Sequence, residues 1–361
     1  MNAYPDNLAG RLTPGGRPGH PSAAMRRPHK SRKVTIADVA ERAGVSKTTV
    51  SHVLSRNRPV ASGTSARVEL AVAELGYRPD GLARSLRTRR SHTVALIIPD
   101  ITNPFYPVLA RGLEDSLAQV GYRTFVCNTD AEEEQELEYI SDAFHRRVDG
   151  VVLVTFCLTA DRLPRVLESG MPLVSIGGEI IDHPRVDVVR ADDERGAFDA
   201  TSHLIRRGHR NIAMIQGPEG SGLPRNEGYR RALEAAGIPF DPRRTAAGGW
   251  TRSGGAKAMQ DLLLMEPAPT AVFCGNDLMA IGAMDTARDA GLVIGRDLAL
   301  VGYDDIEAAA LVHPGLTTML NPAYDTGRVA GELLLERMTG AYQGERRAVV
   351  LPCPLIERES S

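Results

Sequence analysis

Aromatic residues fill only 5% of the 361 positions, and tryptophan occurs once, at Trp250. That scarcity argues against an aromatic membrane belt or an aromatic-cage binder. No stretch approaches the roughly 18 consecutive apolar residues of a membrane-spanning helix. The four cysteines (Cys127, Cys157, Cys274 and Cys353) lie far apart, without C-x-x-C spacing or a His/Cys cluster. A disulfide framework and a structural zinc site are therefore not expected. Catalytic signatures are missing as well: there is no G-x-G-x-x-G after a strand, no phosphate loop, no G-x-S-x-G and no H-E-x-x-H. His183, His203, His209 and His313 show no metal-ligand spacing, so no catalytic residue, metal ligand or cofactor is assigned. Residues 1–32 have no apolar run and no periodicity, which argues against a signal peptide and for a disordered extension, with Met25 as an alternative start. The reading is a soluble cytoplasmic protein of two to three domains.

The overall formal charge of −2 hides an uneven distribution. From Arg26 to Arg90 there are 15 Lys/Arg against 5 Asp/Glu, whereas residues 91–361 hold 26 basic and 39 acidic side chains. A small basic head on a large acidic body points to a polyanion bound through the head alone.

The head, residues 33–78, reads as a helix-turn-helix. Thr35 can cap a short helix with Ile36, Val39, Ala40 and Ala43 at helical spacing, and Gly44 supplies the left-handed turn that ends it. Ser46 then caps a second helix that buries Val50 and Val53. This leaves Lys47, Thr48, Thr49, Ser51 and His52 for the outer face, where hydroxyls, an imidazole and an ammonium can reach base edges and phosphates. A third helix, residues 62–75, packs back through Val68, Val72 and Leu75. In residues 79–91, Asp80 can cap a short helix bearing Leu82, Ala83 and Leu86 beside Arg84 and Arg87. This segment reads equally as a minor-groove wedge or as a plain linker.

The body, residues 92–361, alternates short apolar runs (94–99, 123–128, 150–155, 172–176, 211–216, 270–274 and 298–303) with helical stretches (105–120, 132–146, 197–207, 225–236 and 278–290). The pattern predicts parallel sheets covered on both faces, and its restart near Asn211 predicts two lobes. The expected fold class is thus α/β: an all-α helix-turn-helix head and two doubly wound parallel-sheet lobes. Ligands of such sheets bind beyond the carboxyl ends of the strands. The residues there are Asp100, Phe105, Tyr106, Asp192, Arg225, Asn276, Asp277, Asp304 and Asp305, converging with Trp250. Each aspartate alone could cap a helix; together with the aromatic faces they suit a polyhydroxylated or planar polar ligand. Arg225 and Asp304 are expected on opposite sides of the second-lobe loops.

Together these residues resemble the LacI/GalR family of bacterial transcriptional regulators, from about Val34 to the C-terminus. The resemblance rests on Val34-Thr35-Ile36-x-Asp38-Val39-Ala40-x-x-Ala43-Gly44-Val45-Ser46-x-x-Thr49-Val50-Ser51, Ala83-Arg84-Ser85-Leu86, Asn103-Pro104-Phe105, Gly275-Asn276-Asp277 and Gly302-Tyr303-Asp304. It implies a periplasmic-binding-protein-like body with three crossovers. Lobe 1 would be about 92–192 and 322–340; lobe 2 about 193–321 and 341–361. It further implies base reading by Lys47, Thr48 and His52, and a hinge helix with Leu86 as wedge. Effector contacts would be Phe105, Tyr106, Asp192, Arg225, Trp250, Asn276 and Asp304. The chain departs from the family at Asp80, at the short loop before Arg225 and at Asn321. The implied function is a repressor that binds a pseudo-palindromic operator as a homodimer under control of a small molecule, a sugar rather than a purine, with no membrane partner. The competing readings are a solute receptor or a sugar-modifying enzyme with the same α/β body.

Overall fold

The computed structural model describes residues 34–55, 58–77, 90–155, 158–177, 181–218 and 222–361. The extension at 1–32 and the hinge segment with Ala83 and Leu86 lie outside the described residues. The chain divides into two compact units, Met1–Asp80 and Gly81–Ser361.

The first unit holds α1 (Ile36–Ala43), α2 (Lys47–Ser55) and α3 (Ser62–Leu75). The Asp38 carboxylate reaches back to accept the Thr35 backbone N–H at 2.7 Å and its hydroxyl at 2.8 Å, satisfying groups that the helix start leaves open. Gly44 ends α1 at φ 64°, a left-handed conformation that glycine adopts without a Cβ penalty. Ser46 Oγ accepts the Thr49 N–H at 3.1 Å and opens α2. Val39, Ala40, Ala43, Val50, Val68 and Ala71 form the buried centre. The small side chains where α1 crosses its neighbours let three short helices share a core that none could bury alone.

The second unit contains two six-stranded sheets. The first runs β11-β5-β4-β3-β1-β2 and is parallel throughout. Its strands are β1 (Thr93–Ile98), β2 (Arg123–Asn128), β3 (Gly150–Thr155), β4 (Leu173–Gly177), β5 (Val186–Ala191) and β11 (Ala348–Leu351). The second runs β12-β10-β9-β8-β6-β7, with only β12 antiparallel to its neighbour. It comprises β6 (Ile212–Gln216), β7 (Thr245–Ala247), β8 (Ala271–Cys274), β9 (Ala299–Asp304), β10 (Thr317–Leu320) and β12 (Leu355–Ile356). Each sheet carries one apolar cluster on either face, which explains why central strands such as β1 and β3 are near-continuous Val, Ile and Leu.

The chain passes between the sheets at three places. After β5 the helix Asp193–Arg206 packs on the second sheet, and after β10 the helix Ala323–Thr339 packs on the first. The third passage corrects the expected lobe boundary. The tail after Ala341 does not go directly to the second lobe, because β11 first pairs with β5, and only β12 joins the second sheet. The passages are tied together: the Asp192 N–H donates to the Leu351 carbonyl, and the Leu320 N–H to that of Pro354, both at 2.8 Å.

Besides its backbone pairing with β5, an ionic cluster anchors β11 on the first sheet. Asp187, fully buried on β5, accepts from Arg337 Nη2 at 2.7 Å and Nε at 3.0 Å. It also accepts from the Arg347 backbone N–H at 2.8 Å and from Arg347 Nη2 at 2.7 Å. Both guanidinium groups lie against the Tyr342 ring, at 4.6 and 3.9 Å from its centre. Burial pushes the Asp187 carboxyl up, but the hydrogen bonds from Arg337 and Arg347 outweigh it and hold the group below the ordinary aspartate value. Asp187→Ala is expected to cost about 3–5 kcal/mol by leaving two guanidinium groups without their buried counter-charge. Because the folded carboxyl is the stronger acid, its contribution is present above the unfolded value and lost as pH falls through the folded one. Denaturant titration of wild type and variant at neutral and acidic pH measures both effects, and a gap below 1 kcal/mol at neutral pH would refute the anchor.

Candidate effector site

Part of the set expected at the strand ends comes together: Arg225, Asp304, Trp250 and Tyr106 interact with one another. β6 ends at Gln216, and after a loop the helix Leu223–Ala235 presents Arg225 from its first turn. Arg225 Nε donates to Asp193 Oδ1 at 2.9 Å, Nη1 donates to the Gly275 carbonyl, and Nη2 lies 3.5 Å from Asp304 Oδ1. Its guanidinium carbon stands 3.8 Å from the Tyr303 ring centre and 5.6 Å from the Trp250 ring. Arg225 and Asp304 thus form an ion pair rather than standing on opposite sides of the loops. A guanidinium only 11% exposed needs compensation on several sides, and these carboxylates supply it.

Asp304 closes β9 in a left-handed conformation, φ 107°, and Asp305 follows at φ 52°. Two consecutive non-glycine residues in this region mark backbone strain, which the surroundings must hold in place. Asn321 Nδ2, at the second passage between the sheets, donates to Asp304 Oδ1 at 3.1 Å. Arg358 Nη2 donates to Asp305 at 2.7 Å. Burial pushes the Asp304 carboxyl up to about 6, against the Arg225 charge and the Asn321 hydrogen bond, with Asp193 adding to the rise. From the first sheet, Tyr106 comes close enough that Asp304 and Asp100 raise its phenol beyond what burial alone does, while Arg225 opposes them. Phe105 packs edge-to-face on Tyr106, with ring centres 5.4 Å apart.

The structure assigns other roles to part of the expected set. Asn276 is 2% exposed. Its Oδ1 accepts the Met279 N–H at 2.9 Å, and its Nδ2 donates to the Trp250 carbonyl at 3.1 Å. Asp277, wholly buried, accepts from Thr318 Oγ1 at 2.6 Å and from the Ile306 N–H at 2.9 Å. Its carboxyl is raised well above the ordinary value, by burial first and by Asp304 next. Asp100 accepts the Thr102 N–H and hydroxyl as a turn cap. Asp192 is half-buried and opens the helix Asp193–Arg206 without a side-chain capping bond. Asp193, Tyr303 and Asn321 are the site groups that sequence reading missed. The adjacent Asp192-Asp193 pair offered a signal for the first, since only one aspartate is needed at a helix start.

In the first unit, Lys47 and Thr48 are exposed, and Thr49, Ser51 and His52 are half-buried. The Thr49 hydroxyl pairs with Ser46 Oγ at 2.9 Å, so it completes the helix cap. Among the described residues no group of three or more His, Cys, Asp and Glu could hold a metal ion, and no helix is long and apolar enough to cross a membrane.

Residues 35–80 match the family described as bacterial regulatory proteins, lacI family, and residues 201–361 match the periplasmic binding protein-like domain. The chain is 37% identical to the ribose operon repressor of Escherichia coli (strain K12) over 332 residues, covering 91% of this chain and 99% of that protein. Among solved structures it is similar to the transcriptional regulator CelR–cellobiose complex, with 34% identity, a TM-score of 0.70, and coverage of 91% of this chain and 100% of that one. It is also similar to the lac repressor dimer bound to operator and the anti-inducer ONPF, with 26% identity, a TM-score of 0.79, and coverage of 91% and 99%.

Because Asp304 is a weaker acid in the folded protein than in the unfolded chain, its proton favours folding. The contribution is complete below the ordinary aspartate range and is lost as pH rises through about 6. The stability difference between Asp304→Asn and wild type, followed by urea unfolding from pH 4 to 8, should therefore grow in favour of the variant across that interval. Parallel profiles would place the titration elsewhere.

Proposed function

The chain belongs to the lacI family of bacterial regulatory proteins, and we propose that it represses transcription from a pseudo-palindromic operator under control of a sugar bound between the two sheets of its second unit. It is a DNA-binding regulator rather than an enzyme. The observation that carries the effector reading is the convergence of one guanidinium, the carboxylates of Asp193 and Asp304, and the Trp250, Tyr106 and Phe105 rings at the strand ends. Such a set offers fixed donors and acceptors for hydroxyl groups and aromatic faces for the apolar side of a pyranose or furanose. The cellobiose bound by the similar CelR and the name of the ribose operon repressor favour a sugar over a purine. Phe105, Tyr106, Asp192, Arg225, Trp250 and Asp304 are the proposed effector contacts, and Asn276 supports them from within the protein.

Operator binding is assigned to Lys47, Thr48, Thr49, Ser51 and His52 of α2, with Ala83 and Leu86 entering the minor groove. The operator is two-fold, so the working form is a homodimer. The edge strand β2 exposes Phe125 and Val126, on its two opposite sides, at 59% and 41%, an apolar edge that a second copy of the chain can cover. A cytoplasmic location follows from a partner that is chromosomal DNA.

Calorimetry with cellobiose, ribose and free purines tests the effector class. Arg225→Ala is expected to weaken the sugar that binds by about 10–100-fold, the range of a hydrogen bond to a charged group, while leaving sugar-free operator affinity within tenfold. Unchanged sugar affinity would remove Arg225 from the contact set. On operator DNA, Thr48→Ala and His52→Ala should each cost about 1–3 kcal/mol and relax preference at one base pair per half-site. A loss that is uniform over all operator variants would make His52 a phosphate contact. Affinity should also fall roughly 10³–10⁵-fold between 50 and 200 mM salt if six to ten phosphates are neutralised.

A further inference from the structure

Trp250 sits on an unusual backbone. Gly249 and Trp250 both have φ 61°, and a bulky side chain in the left-handed region is unfavourable by itself. The strained segment is gripped from two sides. Thr251 Oγ1 accepts the Gly254 N–H at 3.0 Å and starts the helix Arg252–Leu263, while Asn276 Nδ2 donates to the Trp250 carbonyl. The indole then lies on three glycines in two loops. A Cβ at Gly217, Gly222 or Gly275 would come within 2.1, 2.9 and 3.2 Å of ring atoms, so each of these backbones touches the ring directly. Gly217 and Gly222 bound the loop between β6 and the Arg225 helix, and Gly275 follows β8. The ring therefore sets the spacing between the loop that leads into Arg225 and the one that carries its Gly275 acceptor.

We propose that Asn276 is a positioning residue of the effector site: by holding the Trp250 carbonyl it keeps the indole seated on Gly217, Gly222 and Gly275, and it acts on a bound sugar through that ring. Its amide is suited to this. The bond from the Met279 N–H to Oδ1 orients the group, which leaves Nδ2 directed at the strained peptide, and the side chain is almost wholly buried. The proposal rests on the reading of the cleft as a sugar site, but its first test needs no sugar.

Trp250 is the sole tryptophan, so selectively excited tryptophan emission reports this site alone. Asn276→Ser keeps a short capping oxygen but cannot reach the Trp250 carbonyl. Asn276→Asp keeps the acceptor and the length, but when ionised has no donor. Both variants, with far-ultraviolet circular dichroism matching wild type, are expected to show red-shifted emission and at least twofold stronger quenching by acrylamide. In Asn276→Asp the wild-type spectrum should return as pH is lowered and the introduced carboxyl regains a proton to donate. A role confined to the helix cap would give no such recovery. Wild-type emission and quenching in both folded variants overturns the proposal. So does a shifted emission accompanied by unchanged affinity for whichever of cellobiose and ribose binds wild type, because the ring would then be detached from the site. Failure of both sugars to bind wild type bears on the effector reading and leaves the fluorescence result to decide the role of Asn276.

Discussion

A single buried guanidinium constrains the centre of the second unit. Arg225 cannot be placed at 11% exposure without counter-charges, and the groups that compensate it come from different parts of the chain. Asp193 belongs to the first passage between the sheets, Asp304 to the end of β9, and the Gly275 carbonyl to the loop after β8. Tyr303 supplies a ring face from the same strand as Asp304. One side chain thereby ties the start of a helix, the ends of two strands and a segment where the chain changes sheet.

That arrangement explains how a ligand in the cleft can matter to the rest of the unit. A ligand group that bonds Arg225 or Asp304 would compete with contacts that also hold Asp193 and Asn321, one from each of two passages. A ligand shifts an equilibrium only by its difference in affinity between two states, and groups shared by the site and the passages are where such a difference can arise. The Asp187 anchor has a different character. Its partners Arg337 and Arg347 are engaged entirely within the first sheet and its flanking segments, so it maintains architecture rather than responding to the cleft.

Much of this was legible in residue order. Thr35, Gly44 and Ser46 announce the starts and stops of α1 and α2, and the third helix runs over 62–75 as its apolar spacing predicts. The apolar runs at 123–128 and 150–155 coincide with β2 and β3. Two of the missed strands, β5 and β10, share a cause. β5 contains Asp187 and Arg190 within its apolar residues, and β10 is Thr-Thr-Met-Leu, so neither reads as a continuous buried strand. Asp187 is tolerated there only because residues 150 or more positions later bring their guanidinium groups to it. The same distant pairing places β11 on the first sheet against the expected boundary.

For the proposed site, strand-end placement selected Arg225, Asp304 and Tyr106, because the rule depends only on where strands stop and helices begin. It could not tell which polar groups are open to a ligand and which are engaged by the protein. Asn276 and Asp277 are adjacent in sequence and both follow β8, yet one grips the Trp250 backbone and the other is sealed against Thr318 and Ile306. The sequence by itself determined the helix-turn-helix, the α/β alternation and the region of the cleft, since each follows from local periodicity, capping and turn chemistry. Only the tertiary structure decided the partners of each charge, because a buried ion takes its counter-ion from whatever the fold brings within about 4 Å, at any separation along the chain.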